Sequence, residues 1–382
     1  MAVSRFRSAH QLLTGAGATQ QLSEQLQKLG VHKPLLVTDK GVRQSGSLSH
    51  INEQLAEGHY GIYDQVPPEP EIAVVKDCSR AFREGGHDGI IAVGGGSAMD
   101  IAKCTAVNVD HDGELEELFG ENLVSQRRIP LIAIPTTAGT GSEVTNIAIL
   151  SDPAAQLKKG IVSDYLLADV AIVSPEMTLS CPPSVTAASG VDALVHALEA
   201  YLSNFASDIT DALAIKAMGL IINALPKAYA RGDMLTARED MATGSLLAGL
   251  AFGNAGVGAV HALAYPLGGR YHISHGVSNA LLLPHVMQVN KMACIERFSD
   301  IAAAFGEPVH QLSAREAAER VIDRLHALCT EVNIPANLRA LNIPESDLPQ
   351  LAEEAFGVER LLRNNPRRLS VDDILGIYRA AY

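Results

Sequence analysis

Gly89-Ile90-Ile91-Ala92-Val93-Gly94-Gly95-Gly96-Ser97-Ala98-Met99-Asp100-Ile101-Ala102-Lys103 carries the reading of the fold. Residues 90–93 are an unbroken apolar run of strand length, as expected of a strand covered on both faces, and the run that follows the glycines is helix-forming. Glycines let the backbone approach an anion, and the first free N–H groups of a following helix point at it with a favourable dipole. Gly94, Gly95, Gly96 and Ser97 therefore form a candidate phosphate loop. The plainer reading is a tight strand-to-helix turn, which rarely needs three glycines in a row.

On either side of this unit, β-rich runs at 35–38, 61–63, 131–134 and 170–173 alternate with helical stretches. One is 71–84, where Ile72, Val75, Cys78 and Phe82 recur at helical spacing. That alternation predicts a parallel sheet with helices on its faces. A second strand, 129–134, runs into Pro135-Thr136-Thr137-Ala138-Gly139-Thr140-Gly141-Ser142-Glu143. Loops at the carboxyl ends of neighbouring parallel strands line a shared crevice, so this loop and the glycine loop can embrace one dinucleotide. Taken alone, its hydroxyls read equally well as helix caps and turns. From Pro183 onward strand signals fade and long helical stretches take over at 185–202, 209–229 and 315–332. The fold class predicted is an α/β dinucleotide-binding domain with a parallel sheet over 1–180, followed by an all-helical metal-binding catalytic domain over 181–382. The join falls at Cys181-Pro182-Pro183.

Gly15-Ala16-Gly17-Ala18-Thr19-Gln20, with Asp39 ending a later strand, mimics a dinucleotide fingerprint. The match is poor, because Gln20 replaces the third glycine and 9–14 does not read as a buried parallel strand. A turn opening the first helix is the simpler expectation.

The 382 residues are long enough for two cores, and 47% hydrophobic with 19% charged residues is globular usage. A formal charge of −13 has the wrong sign for a protein that holds nucleic acid phosphates. The five cysteines, Cys78, Cys104, Cys181, Cys294 and Cys329, contain no CxxC pair and read as reduced thiols. The N-terminus lacks the apolar core of a signal peptide, so the expected location is cytoplasmic. Residues 241–269 contain no Asp, Glu, Lys or Arg, but seven glycines, His261 and Pro266 favour a buried helix pair over a membrane span.

Asp192 and His196, four residues apart, share one face if 189–199 is helical. His261 and His275 sit in apolar, glycine-rich surroundings where a neutral imidazole needs a partner. One Asp and three His make a four-ligand set for a divalent first-row metal. Taken singly, each histidine reads more simply as a hydrogen-bonded core residue, and spacing alone does not make them converge.

GGGSAMDIAK at 94–103, PTTAGTGSEVT at 135–145, SGVDALVHALEAY at 189–201, and GAVHALAYPLGG with HGVSNALLLPH within 258–285 together resemble the iron-containing, group III alcohol dehydrogenases. The motifs run in order, and the resemblance reaches Asn365-Pro366-Arg367, nearly the whole chain. It implies that Asp192, His196, His261 and His275 are the metal ligands, with Fe2+ as the expected ion and Zn2+ the alternative. It implies NAD as cofactor, with Gly94, Gly95, Gly96, Ser97 and Asp100 at the pyrophosphate, Thr136, Thr137 and Thr140 in the second cofactor loop, Lys158 on the cofactor side and Asp39 beside the adenosine ribose. The Gly15 loop matches only an N-terminal turn.

The chain departs from the family pattern at two positions. Glu69 stands where a close branch has Asn near the cofactor, and Tyr265 stands where many members have a second active-site histidine. Either departure marks a subgroup with a different substrate or proton path; for Tyr265 the plainer reading is packing beside His261, one helical turn away. The implied reaction is reversible hydride transfer between a small primary or secondary alcohol, giving aldehyde or ketone, and NAD. The metal polarises the oxygen. A polyol or hydroxyacid dehydrogenase is the alternative within the same fold. A zinc-dependent cyclase of the dehydroquinate-synthase kind would need a basic cluster, for which Arg270 and His272 are the main candidates nearby, and a silent NAD- or metal-binding protein is a reading of another class. The expected partners are a small-molecule alcohol or aldehyde and further copies of the chain in a homo-oligomer, with no nucleic acid and no membrane.

Overall fold

The computed structural model describes residues 4–55, 58–152 and 157–382. The chain divides into two compact units, Arg7–Cys181 and Pro182–Tyr382, with residues 4–6 grouped with the second.

The first unit contains strands β1 (Gln11–Thr14), β2 (Pro34–Val37), β3 (Gly61–Tyr63), β4 (Gly89–Gly94), β5 (Gly120–Glu121), β6 (Leu131–Pro135), β7 (Ile147–Asp152), β8 (Leu157–Val162) and β9 (Val170–Val173). Its helices are α1 (Leu22–Lys28), α2 (Lys40–Gln44), α3 (Ser49–Asn52), α4 (Ile72–Gly85) and α5 (Gly96–Asn108). Six strands form one sheet in the order β1-β9-β6-β4-β2-β3, and every pairing in it is parallel. Strands β2, β4, β6 and β9 are buried throughout because the sheet is covered on both faces. Leu22, Leu36, Ile91, Val93, Ile132, Ile134 and Ile172 belong to one core cluster, and each such side chain contributes about 1.5–3 kcal/mol by leaving water.

After β3 the chain crosses back to place β4 on the other side of β2, so the strand order reverses between β2 and β4. Crevices at such reversals, outside the carboxyl ends of the strands, are where parallel α/β sheets take ligands. The loops after β2, β4 and β6 stand side by side there and carry Asp39, the glycine run and the threonine-rich segment.

Two features of this unit differ from the sequence reading. Gln11–Thr14 is a strand, paired in parallel with β9, but at the sheet edge, where it is only half covered. A second sheet, β5-β8-β7, contains the antiparallel pair β7 and β8 that the sequence reading does not include. The Gly15 loop is the expected turn. Gly15 and Gly17 take φ of 110° and 78°, and the Gly17 N–H donates to Glu176 Oε1 at 2.8 Å, so that amide is satisfied by a protein carboxylate.

The second unit is helical throughout: α6 (Pro183–Leu202), α7 (Asp208–Ala230), α8 (Leu235–Ala255), α9 (Ala259–Tyr271), α10 (His275–Asn290), α11 (Ile295–Ala304), α12 (Ala314–Glu331), α13 (Leu348–Phe356), α14 (Glu359–Leu362) and α15 (Val371–Ala380). Ser207 and Thr210 form a capping box that starts α7, a helix long and apolar enough, by length and composition alone, to cross a membrane. The uncharged stretch 241–269 is the predicted helix pair, α8 and α9, bent by 99° at the break between them.

That bend is fastened from the far end of the sequence. Gly256 has φ of 79°, and a Cβ there would come within 2.5 Å of Asn364 Nδ2. The Asn364 amide donates to Val257 O at 2.8 Å, and Asn365 Oδ1 accepts from Ala259 N at 3.4 Å. Asn365 and Asn290 exchange reciprocal, buried amide bonds of 2.8 Å each.

Candidate metal and cofactor sites

Helix α6 is packed by α7, α8 and α10, so nearly all of it from Thr186 to Leu202 is buried. A polar face inside such a helix is costly unless every group is paired. Asp192 and His196 form such a face, joined by His261 from the first turn of α9 and His275 from the first residue of α10. One ligand atom from each of the four lies within 4.8 Å of the other three. His261 Nε2 is 3.0 Å from His196 Nε2 and 3.8 Å from Asp192 Oδ1, and His275 Nε2 is 3.8 Å from the same oxygen. Donors about 2.1 Å from one tetrahedral ion lie about 3.4 Å apart, so the observed separations bracket what a divalent first-row metal needs. The residues present fit the ion.

Asp192, His196 and His261 are buried, while His275 is half-exposed and lines the accessible side. Burial pushes the Asp192 carboxyl up, but His196, His275 and His261, with a bond from Asn279, outweigh it and hold the group below its ordinary range. It is therefore an anionic ligand at neutral pH. Asn279 Nδ2 donates to Asp192 Oδ1 at 2.7 Å and sits 3.1 Å from His275 Nε2. The Phe252 ring stacks on His196 at 4.1 Å between centroids, 15° from parallel, and walls that imidazole from water. Tyr265 is on α9, one turn beyond His261, and half-buried.

The sequence reading misses Glu199. This carboxylate, 4% exposed, takes the Nδ1 side of His261 at 2.7 Å and the Val260 N–H at 2.6 Å. Its spacing, three residues after His196 on the same helix, was the available signal. Asn279 is missed too, for it reads as one polar residue within an apolar helix.

In the first unit, α5 starts at Gly96 with no side chain capping it, so its leading N–H groups are open. A Cβ on Gly94 would meet Ala98 Cβ at 2.6 Å, and one on Gly96 would meet Thr140 Cγ2 at 2.9 Å, so packing alone requires glycine at both positions. Gly95 has room among protein atoms, its nearest neighbour being Thr137 Oγ1 at 3.5 Å, and a bare backbone there keeps the approach to the helix end clear. Thr136 N donates to Gly94 O at 2.9 Å, zipping the two loops together.

Asp39 caps α2 through Oδ1, which accepts from Val42 N at 2.9 Å, and its Oδ2 would be 3.5 Å from a Cβ on Gly94. It therefore stands beside the glycine loop with one oxygen uncommitted to the cap. Asp100 is placed differently from its expected role. Its two oxygens accept from Ser142 Oγ at 2.8 Å and Ile149 N at 2.9 Å, tying α5 to the threonine-rich loop. Lys103, 1% exposed, donates to Ser142 Oγ at 2.8 Å, Thr145 Oγ1 at 3.3 Å and Ile147 O at 3.0 Å. Burial lowers the Lys103 ammonium to about 8 against the pull of Asp100 and Glu143, and burial raises the neighbouring Glu143 to about 7. Lys158, on β8, is 14% exposed and faces Glu69.

A family model described as iron-containing alcohol dehydrogenase matches residues 9–175, and one described as the C-terminal part of the Fe-containing alcohol dehydrogenase family matches residues 186–382. The chain belongs to the iron-containing alcohol dehydrogenase family. Long-chain-alcohol dehydrogenase 1 of Geobacillus thermodenitrificans is 46% identical over 96% of this chain and 94% of its own length. The crystal structure of a 1,3-propanediol oxidoreductase superposes with a TM-score of 0.97 at 40% identity over the whole of both chains. Sulfoacetaldehyde reductase from Bifidobacterium kashiwanohense, in complex with NAD+, gives 0.91 at 30% identity over 100% of this chain and 99% of that one. Within the family this chain is an alcohol dehydrogenase. Its glycine and threonine loops fall in the part matched by the first family model, and its four convergent donors in the part matched by the second.

Proposed function

We propose that the chain interconverts a small primary or secondary alcohol and its aldehyde or ketone, with NAD bound by residues 1–180 and a divalent ion, Fe2+ or Zn2+, bound by residues 181–382. The observation that carries this reading is the convergence of Asp192, His196, His261 and His275 in a buried helical core. The sulfoacetaldehyde reductase complex supports NAD as the cofactor.

When bound, the ion supplies a Lewis acid for the substrate oxygen and NAD supplies the hydride acceptor. Three neutral imidazoles and one carboxylate leave a net charge of +1 at the site, which suits an oxygen that gains negative character. Phe252, stacked on His196, excludes water from that side. The Tyr265 hydroxyl would carry the hydroxyl proton away, and a bound nicotinamide would supply the acceptor for the hydride of the carbinol carbon. In the first unit, the open N–H groups at the start of α5 would hold the pyrophosphate, together with Thr136, Thr137 and Thr140 of the neighbouring loop. Asp39 Oδ2 would accept from the adenosine ribose and Lys158 would face the phosphates, while Asp100 holds the threonine loop in register through Ser142.

The substrate class remains the broad one, since the similar proteins carry names for a long-chain alcohol, a propanediol and sulfoacetaldehyde. A polyol or hydroxyacid substrate lies within it. Arg270 pairs with Glu354, a carboxylate with which an anionic cyclase substrate would have to compete. Further expectations are a cytoplasmic location and a homo-oligomer. The test is the absorbance of NADH formed from short alcohols, diols and hydroxy acids by metal-loaded protein. Silence across that panel, with metal and NAD both shown to bind, makes the chain a binding protein instead.

A further inference from the structure

Glu199 lies outside the four donors, yet it touches two parts of the site at once. Its Oε1 accepts the Val260 N–H at 2.6 Å, satisfying one of the orphan amides in the first turn of α9. Its Oε2 is 2.7 Å from His261 Nδ1. A carboxylate only accepts, so the imidazole proton resides on Nδ1 and the lone pair on Nε2. Nε2 is the atom 3.0 Å from His196 Nε2 and 3.8 Å from Asp192 Oδ1. The carboxylate thus aims a lone pair into the donor cluster. It is itself 4% exposed, and a Cβ on Gly258 would lie 3.2 Å from its Oε1, so the turn before α9 leaves it little room to shift.

We infer that Glu199 is a positioning residue for the metal: it fixes the tautomer and direction of His261 while anchoring the helix that carries it. The inference rests on the metal reading above. Glutamine at 199 separates the two tasks. With its single oxygen on Val260 N–H, glutamine keeps the helix anchor, but its NH2 then faces Nδ1. The imidazole must place its proton on Nε2, where it blocks coordination. The opposite rotamer would set NH2 against the Val260 N–H, two donors facing each other. Groups that orient a ligating histidine typically change metal affinity roughly 10- to 100-fold when altered.

The test measures Co2+ affinity by chelator competition, with the Co2+ visible spectrum as a second readout, on metal-stripped parent, Glu199→Gln, His261→Ala and the double variant. The expected result is a 10- to 100-fold weaker affinity with an altered spectrum in Glu199→Gln, an unfolding midpoint of the metal-free protein close to the parent's, and no further loss when Glu199→Gln is added to His261→Ala. A parent that fails to bind Co2+ overturns the metal reading itself. A parent that binds while Glu199→Gln matches it in affinity and spectrum overturns only the role of Glu199. Should Glu199→Gln not fold, 15N-histidine spectra of the Zn2+-loaded parent decide: a proton on His261 Nδ1, assigned by its loss in His261→Ala, is required, and its absence overturns the inference.

Discussion

Lys158 Nζ lies 3.1 Å from Glu69 Oε1, joining strand β8 to the loop that follows β3. Glu69 is held there in a left-handed backbone conformation, φ 52°, uncommon for a residue other than glycine. Both positions belong to the proposed cofactor side, so the glutamate partly neutralises the lysine proposed to face the phosphates. Glu69→Asn should release that charge and lower the KM for NADH by roughly two- to fivefold at low salt, the range of a partly exposed ion pair. The effect should shrink as salt rises. Steady-state kinetics at two ionic strengths check it, and an unchanged KM would remove Lys158 from the phosphates.

With Asp39 at the proposed ribose position, a 2′-phosphate would face its Oδ2 and NAD should be preferred. Asp39→Gly removes the like charge and should raise the ratio of kcat/KM for NADP over NAD by about tenfold, the equivalent of one pKa unit of interaction. Loss of the cap on α2 should cost only a few tenths of a kcal/mol. Paired kinetics with both cofactors decide, and an NADP preference in the parent would contradict the assignment.

His261→Ala deletes one of the four donors and leaves Glu199 with only the Val260 amide. Metal content after dialysis should drop below stoichiometric and turnover should fall by orders of magnitude, while circular dichroism stays that of a folded helical protein. Full metal content with full activity would take His261 out of the ligand set.

Glu143 makes the stability of the first unit depend on pH. Burial raises its folded value to about 7, so over the interval from the ordinary glutamate range up to that value the native chain holds a proton that the unfolded chain has lost. Stability from this group is present in full below the ordinary range and is lost as pH rises through about 7. Glu143→Gln should flatten the profile, removing a difference of the order of 3 kcal/mol between mildly acidic and mildly alkaline solution. Denaturant midpoints across that interval test this, and parallel profiles for parent and variant would refute it.

Tyr265→Phe should retain metal and lower kcat by at least about tenfold if the hydroxyl passes the proton. Tyr265→His should move the rising limb of the kcat profile to lower pH, since imidazole changes charge near neutrality. Superimposable profiles for parent and Tyr265→His, with unchanged metal content, would assign the side chain to packing.

The central strands and long helices were legible because each has one unambiguous period or an unbroken apolar run, as in Ile90 and Ile91 or in Ile72, Val75, Cys78 and Phe82. Strand β1 was not, because an edge strand needs only one covered side, and Gln11 and Thr14 are exposed in it. Strands β7 and β8 were hidden by Lys158, Lys159 and Gly160, whose extended conformation is set by pairing with Ile149, Leu150 and Ser151 rather than by local preference. Asp192 and His196 could be paired from helical spacing, and His261 and His275 could be added from their apolar, glycine-rich surroundings, but their convergence was implied only by the family resemblance. The spacing of Glu199 from His196 put it on the ligand-bearing face of α6, but its partner His261 could not be read, since no local pattern says that α9 starts beside α6. Asp100 carried a recognisable motif position, but both of its oxygens turn out to be engaged within the protein.

The bolt between Asn290 and Asn365, with Asn364 on the turn before α9, has a consequence for biogenesis. All four donors have been synthesised once His275 is made, yet the turn that presents His261 is locked only when residues 364 and 365 arrive. A nascent chain therefore carries every proposed ligand through the synthesis of α10 to α14 with the turn ahead of His261 still unfastened.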